Sequence, residues 1–273
     1  MFLLPTVLAM TLLFLWPLWQ AGGLSFTRRG VAGFTLANYT DLLTDSRFHR
    51  SAFISIQYTI AVVAGSIAAG MGTALLLNRK VRGIAVLRSL FIMPWAMPFV
   101  ATALIWRWML DSQYGVLTYA LTFFGIDQVA NPFSSGSALV TVSVIEIWKT
   151  FPLAAIMMLA GMQAIQKELY ESAAIDGAGP LRRFRHVTLP GLRHTTRAVT
   201  LLLTLWIFGR AFIVIFLTTG GGPGGATETL VLLTYLEGFN QFDLHGAAAV
   251  GMVTLAISIL LTIIYRKVAK DDA

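Results

Sequence analysis

Six stretches of this sequence each run for about 20 largely apolar residues, the length an α-helix needs to cross the roughly 30 Å hydrocarbon core of a bilayer. They extend approximately from Phe2 to Trp19, Phe53 to Leu77, Ile84 to Leu110, Ser137 to Met162, Ala198 to Thr219 and Gly246 to Tyr265. Little polar chain is left between them, so residues 1–273 are expected to form one all-α, polytopic membrane domain with six transmembrane helices. Composition agrees: 12% of residues are charged, against roughly 25% in soluble domains. A soluble protein with wholly buried helices fits these window lengths poorly. The first window has no basic flank before it and no A-x-A cleavage pattern, and is read as a retained span and not a signal peptide.

A net charge of +7 would suggest nucleic acid in a soluble protein, but here the position of the cations decides their meaning. With six spans, the termini and the loops after spans two and four share one side. Those segments carry Arg79, Lys80 and Arg82, then Lys167, Arg182, Arg183, Arg185, Arg193 and Arg197, then Arg266, Lys267 and Lys270. The opposite side holds Arg28, Arg29, Arg47 and Arg50, with no Lys or Arg in the loops 111–136 and 220–245. The positive-inside rule therefore puts both termini in the cytoplasm and makes membrane lipid, not nucleic acid, the partner of the basic residues.

Several chemistries find no support. The chain has no cysteine, which removes disulfides, thiolate metal sites and thiol nucleophiles. His49, His186, His194 and His245 lack metal-ligand spacing, and neither HExxH nor GxSxG occurs, so no catalytic residues, metal site or cofactor are expected in this chain. The Gly-rich run from Gly220 to Gly225 has no lysine to reach a phosphate; it reads as an external turn and not as a nucleotide loop. Ser66 with Gly70 and Ala247 with Gly251 place small residues four apart, a spacing that lets helix backbones approach closely in lipid.

One segment is out of character. ELYESAAIDGAGPLRRFRHVTLPG, from Glu168 to Gly191, is charged and turn-rich between two apolar windows. Good helix formers run from Gln166 to Ile175, with Leu169, Ala173 and Ala174 or Ser172 on a narrow apolar face. Gly177 supplies a stop, Pro180 suits the first residue of a second short helix carrying Leu181, Phe184 and Val187 or His186, and Pro190 is expected to end it. From spacing alone, a surface connector whose arginines meet lipid headgroups would serve equally well.

The residue identities go further. Glu171, Ala173, Ala174, Asp176, Gly177 and Ala178, followed by Phe184, Leu189 and Pro190, resemble the EAA loop of ABC importer permeases. The likeness extends through FIMPWAMPFVATALIWRWMLDSQYGVL, EIWKTFPLAAIMMLAGMQAI and LTTGGGPGGATETLVLLTYLEGF, and so over nearly the whole chain. The chain thus resembles the permease subunit of a binding-protein-dependent carbohydrate importer of the maltose and glycerol-3-phosphate type. It departs from the pattern at Ser172, where alanine is usual, and in its very short N-terminus.

The resemblance implies a pathway subunit in the cytoplasmic membrane of a prokaryote. Its partners would be a second, similar permease, two ABC ATPase subunits that bind ATP and Mg, and an extracytoplasmic solute-binding protein. The hairpin at about 164–191 would be a coupling helix docked into an ATPase cleft, with Glu171, Ser172, Ala173, Ala174, Asp176 and Gly177 at the contact. Glu171 would pair with a basic residue, Ala173 would permit close approach and Gly177 would allow the turn.

Ionisable residues inside spans are costly and each raises a functional question. Arg107, between Trp106 and Trp108 near a span end, is expected to snorkel and anchor at the interface. Glu146 and Lys149, three apart, are spaced to pair with each other. Arg210 has no acid in its own span and lies one turn after Trp206. By resemblance Arg210, Trp206, Thr150, Lys149 and Glu146 are the candidates for the substrate path. An aromatic face suits a sugar ring, while a guanidinium suits hydroxyls, an anionic group, or a helix end. Two other readings stay open: an ion-coupled secondary transporter with Glu146 as proton carrier, and an ABC permease for a non-sugar solute.

Overall fold

The computed structural model describes residues 4–30, 32–79, 82–124 and 131–270; Phe2 and Lys80 lie outside the described residues, and so do positions 125–130. The described residues are helical, without a β-strand. We number the helices α1 (Leu4–Ser25), α2 (Ala37–Thr44), α3 (Ser46–Leu77), α4 (Ile84–Ala96), α5 (Phe99–Met109), α6 (Val116–Phe123) and α7 (Ala138–Gln163). They continue with α8 (Lys167–Ile175), α9 (180–191), α10 (Arg193–Arg210), α11 (Ile213–Thr218), α12 (230–240) and α13 (Leu244–Lys270).

Four helices among the described residues are long and apolar enough to cross a membrane singly: α1, α3, α7 and the Leu244–Tyr265 part of α13. The windows expected from Ile84 to Leu110 and from Ala198 to Thr219 are not single helices. The first is split into α4 and α5, bent by 97°. Pro98 causes the split: its ring pushes the preceding residue out of the helical region, and Met97 is extended at φ −69°, ψ 142°. The second is split into α10 and α11 by an inverse γ-turn at Ala211 (φ −69°, ψ 66°), in which the Phe212 amide donates to the Arg210 carbonyl at 2.7 Å. The carbonyl freed at Ala211 accepts the Thr229 hydroxyl at 2.8 Å, so the break is satisfied from another element.

The bundle is built on α3 packed along α7. Gly70 permits that approach, because a Cβ there would stand 2.7 Å from Ala154 Cβ and 3.0 Å from the Ala155 amide. Tyr58 and Val62 of α3, Val142 and Ala154 of α7, Val199, Leu203 and Ile207 of α10, Ile215 of α11 and Leu232 of α12 form one buried core. The other small pair serves α13, where Gly251 meets Thr234 of α12 and Ala247 meets Gly238. Helix α1 buries nothing across its apolar window, and leans on α13 at its C-terminal half.

The polar hairpin is α8 and α9. Helix α8 ends in a Schellman turn: the Ala178 amide donates to Ala173 O at 2.9 Å and the Gly177 amide to Ala174 O at 3.1 Å, with Gly177 at φ +74°. Pro180 is the first residue of α9. Pro190 does not end that helix; the chain stays helical to Gly191. A wide π-turn over Phe184–Thr188, closed by the Leu189 amide on Phe184 O, takes up the register where a proline would clash with the preceding turn.

Candidate functional site: a cavity between two broken helices

The two breaks face each other across a narrow, partly open cavity of about 40 Å³. Tyr58 comes from α3, Trp95 and Phe99 from the two sides of the first break, and Trp206, Arg210, Ala211 and Ile213 from around the second. Helix α7 adds Glu146, Lys149 and Thr150. Glu146, Lys149 and Thr150 of α7 and Trp206 and Arg210 of α10, two groups far apart in sequence, are thereby brought to one cavity.

Their contacts differ from a simple pairing of opposite charges. Glu146 and Lys149 form no salt bridge; the ion pairs among the described residues are Arg28–Asp41, Arg47–Glu228 and Arg47–Glu237. Lys149 is 2% exposed, and its ammonium donates to the carbonyls of Pro94 at 3.1 Å, Trp95 at 2.9 Å and Met97. Glu146, also buried, accepts the Tyr58 hydroxyl at 3.4 Å, and Thr150 donates to the Glu146 backbone carbonyl at 2.6 Å. Lys149 thus reaches across to the open carbonyls at the end of α4 and not to the carboxylate one helical turn back on its own helix.

The Arg210 side chain has no hydrogen bond or salt bridge among the described residues and lies over aromatic rings instead. Its guanidinium carbon is 5.0 Å from the Trp206 ring and 5.8 Å from the Phe99 ring, and Lys149 Nζ is 4.7 Å from the Phe99 ring. Contact with the ring faces uses none of the guanidinium's N–H donors, which are left for hydroxyl or acidic groups. Arg107, expected as an interfacial anchor, donates to Leu217 O at 2.9 Å and so caps the end of α11.

Tyr58, Trp95 and Phe99 escaped sequence reasoning, although a tyrosine mid-way along an apolar window and aromatics flanking Pro98 were visible signals. The Gly-rich loop also has partners the sequence did not suggest. Arg47 at the start of α3 grips Glu228 with two bonds, Nε–Oε1 at 2.8 Å and Nη2–Oε2 at 2.9 Å, and reaches Glu237 at 2.8 Å. Ser51 adds a bond to Glu228 at 3.1 Å, and Arg50 donates to Gly224 O at 3.2 Å. Burial pushes the Glu237 carboxyl above its ordinary range, with Arg47 pulling it back. Within the loop, Gly221 sits at φ +91° with its Cα so close to Leu232 that a Cβ would meet that side chain at 2.9 Å.

The coupling candidates lie elsewhere. Glu171, Ser172 and Ala174 on α8, and Asp176 and Gly177 at its cap, are exposed, and Ala173 is half-buried. Leu169, Ile175, Leu181 and Leu189 are exposed on the same hairpin, Ile175 at 86%. Tyr170 and Thr188 hydroxyls join the two arms at 3.1 Å. Gly161, against Leu192 and Thr195, and Gly191, against Ile165, seat the hairpin closely on the end of α7.

Residues 61–271 match the family described as the binding-protein-dependent transport system inner membrane component. The chain belongs to this family. It is a permease subunit of an ABC importer, embedded in the membrane. It is 34% identical over 235 residues to the trehalose/maltose transport system permease protein of Thermococcus litoralis, covering 86% of this chain and 79% of that one. It is 36% identical over 280 residues to the diacetylchitobiose uptake system permease protein of Streptomyces coelicolor, covering 97% and 84% respectively. In fold it is similar to a chain of a bacterial alginate ABC transporter solved in complex with an alginate pentasaccharide-bound periplasmic protein, with a TM-score of 0.86, 20% identity, and coverage of 97% of this permease and 91% of that chain.

Proposed function

We propose that this permease carries a sugar or sugar derivative inward through the cavity between its broken helices, as one half of a pathway completed by a second, similar permease. The observation that carries this reading is the wall itself. Trp206, Phe99 and Trp95 offer ring faces for a pyranose, while Arg210 keeps its donors free beside them. Discontinuous helices lining a mid-membrane cavity are a recurrent way for transporters to place polar groups where lipid would forbid them. The sugars in the names of the two relatives favour the same class of solute.

In this reading the chain has six spans, the bent α4–α5 pair and α10–α11 each serving as one, with both termini cytoplasmic. The α8–α9 hairpin is the coupling helix. It presents Glu171 and its exposed apolar side chains to one of two ATPase subunits, which supply ATP and Mg. The external face, with the Gly-rich loop, receives the solute-binding protein. Nucleotide closes the ATPases, the hairpins move with them, and the bundle exchanges one packing for another of similar free energy. An ion-coupled mechanism through Glu146 has no role for an exposed apolar hairpin.

The deciding experiment is purification of the assembled importer through a tag on this chain, followed by ATPase assays with maltose, chitobiose, glycerol 3-phosphate and amino acids offered on the copurifying binding protein. Stimulation by one sugar class supports the proposal and names that class. Stimulation by amino acids alone would transfer the cavity to a non-sugar solute, and a pure chain without ATPase would favour the ion-coupled alternative.

A further inference from the structure

We infer that Lys149 is a positioning residue that holds the 97° bend between α4 and α5, and that it does not bind solute. The argument is one of donors and acceptors. In an uninterrupted helix the Pro94 carbonyl would be bonded by the amide of residue 98, the Trp95 carbonyl by that of Phe99 and the Met97 carbonyl by that of Ala101. Residue 98 is proline and has no amide hydrogen, and the bend carries the other amides away. Three carbonyls are left without donors beside an apolar core, a costly arrangement.

An ammonium group has three N–H donors and no acceptor. Lys149 places it among these three carbonyls, and the stoichiometry is complete. No donor remains for Glu146 or for a solute hydroxyl, and Lys149 as a whole is 2% exposed. Its positive charge also complements the negative end of the α4 dipole. The same ammonium lies 4.7 Å from the ring of Phe99, the first residue of α5, so one side chain holds the last turn of one arm and the first residue of the other. Trp95 and Phe99, the aromatics on either side of the break, take their places in the cavity wall from this bend.

Removal of the ammonium leaves the Trp95 and Met97 carbonyls only the amides of Phe99 and Ala101, which they approach as the bend opens, while the Pro94 carbonyl has no amide to return to. The test uses the assembled importer with cysteines removed from its partner subunits, because this chain has none. Spin labels are placed at Val86→Cys on α4 and Trp108→Cys on α5, both exposed positions, and the distance between them is measured by pulsed electron resonance. Lys149→Met is expected to lengthen and broaden the distribution toward the roughly 33 Å of a continuous helix over that many residues. Lys149→Gln, with two donors, is expected to fall between. A distribution of wild-type mean and width in Lys149→Met would overturn the inference. So would equal lengthening in Glu146→Gln, which would mean that the carboxylate governs the bend. A lowered melting temperature with unchanged distances would reduce Lys149 to a general packing role. Should Lys149→Met not assemble, the Lys149→Gln distribution decides on the same terms.

Discussion

At Gly177 the backbone requirement separates cleanly from the packing requirement. Its φ of +74° is a conformation that side-chain-bearing residues adopt at a cost of about 1–2 kcal/mol, yet a Cβ there would touch nothing. Gly177→Val is therefore expected to impair coupling through the turn alone, lowering uptake at least tenfold relative to ATP hydrolysis, whereas Gly177→Asn, which tolerates this region, should retain most of it; parallel uptake and ATPase assays in proteoliposomes read the difference. Gly177 was legible because a glycine between a helical run and a Pro-led helix has few other uses. The partners of Glu146, Lys149 and Arg210 were not legible. Spacing suggested an i, i+3 pair, but the carbonyls that claim Lys149 lie more than fifty residues away and exist only because α4 is broken. Arg210 carries the second residue-scale prediction. Lysine keeps the charge and loses the planar fork of donors over Trp206 and Phe99, so Arg210→Lys should raise the half-saturating solute concentration about tenfold with little change in the basal hydrolysis rate.

Between elements, close approach and long-range ion pairing take over. Gly70→Ala would drive a methyl group into Ala154 and the Ala155 backbone and is expected to cost about 1–3 kcal/mol of α3–α7 packing. Gly72→Ala, with nothing near its Cβ, is the matched control, and thermal unfolding of the purified complex should lower the first and spare the second. The small-residue spacing at Ser66 and Gly70 signalled such an approach without naming its partner. Pro98 likewise announced a break that a hydropathy window passes over, since apolar content is the same on both sides of a bend. The break at Ala211 had no such announcement: no proline is present, and the carbonyl it frees is claimed by Thr229 from a later element. The Arg47–Glu228–Glu237 cluster was equally hidden, its members being 181 and 190 residues apart. With Arg47 about one-third exposed, Arg47→Met is expected to cost about 1–2 kcal/mol, intermediate between surface and buried pairs, and a double-mutant cycle with Glu228→Gln should recover most of that as coupling energy.

For the molecule as a whole, the placement of apolar surface is the informative quantity. A chain in lipid exposes hydrophobic side chains all around its spans without consequence, so the exposed leucines of α1 say little. Those on α8 and α9 differ because they share their hairpin with Lys167, Glu168, Glu171, Asp176 and Arg182, a polar setting that belongs in water. An apolar patch rimmed by charge on a water-facing element marks a protein contact. Ile175, 86% exposed, and Leu181, 71% exposed, flank the turn and make no contribution to the hairpin's own core, which rests on Leu192, Thr188 and the two close glycines. Ile175→Glu should therefore leave the permease folded, with the thermal stability of the isolated subunit unchanged within about 0.5 kcal/mol. The same substitution should remove the ATPase subunit from the complex recovered through a tag on this chain. If Ile175→Glu and Leu181→Glu together leave the ATPase bound in its usual ratio, the hairpin is a lipid-surface connector, and the path from nucleotide to cavity must run through another part of the permease.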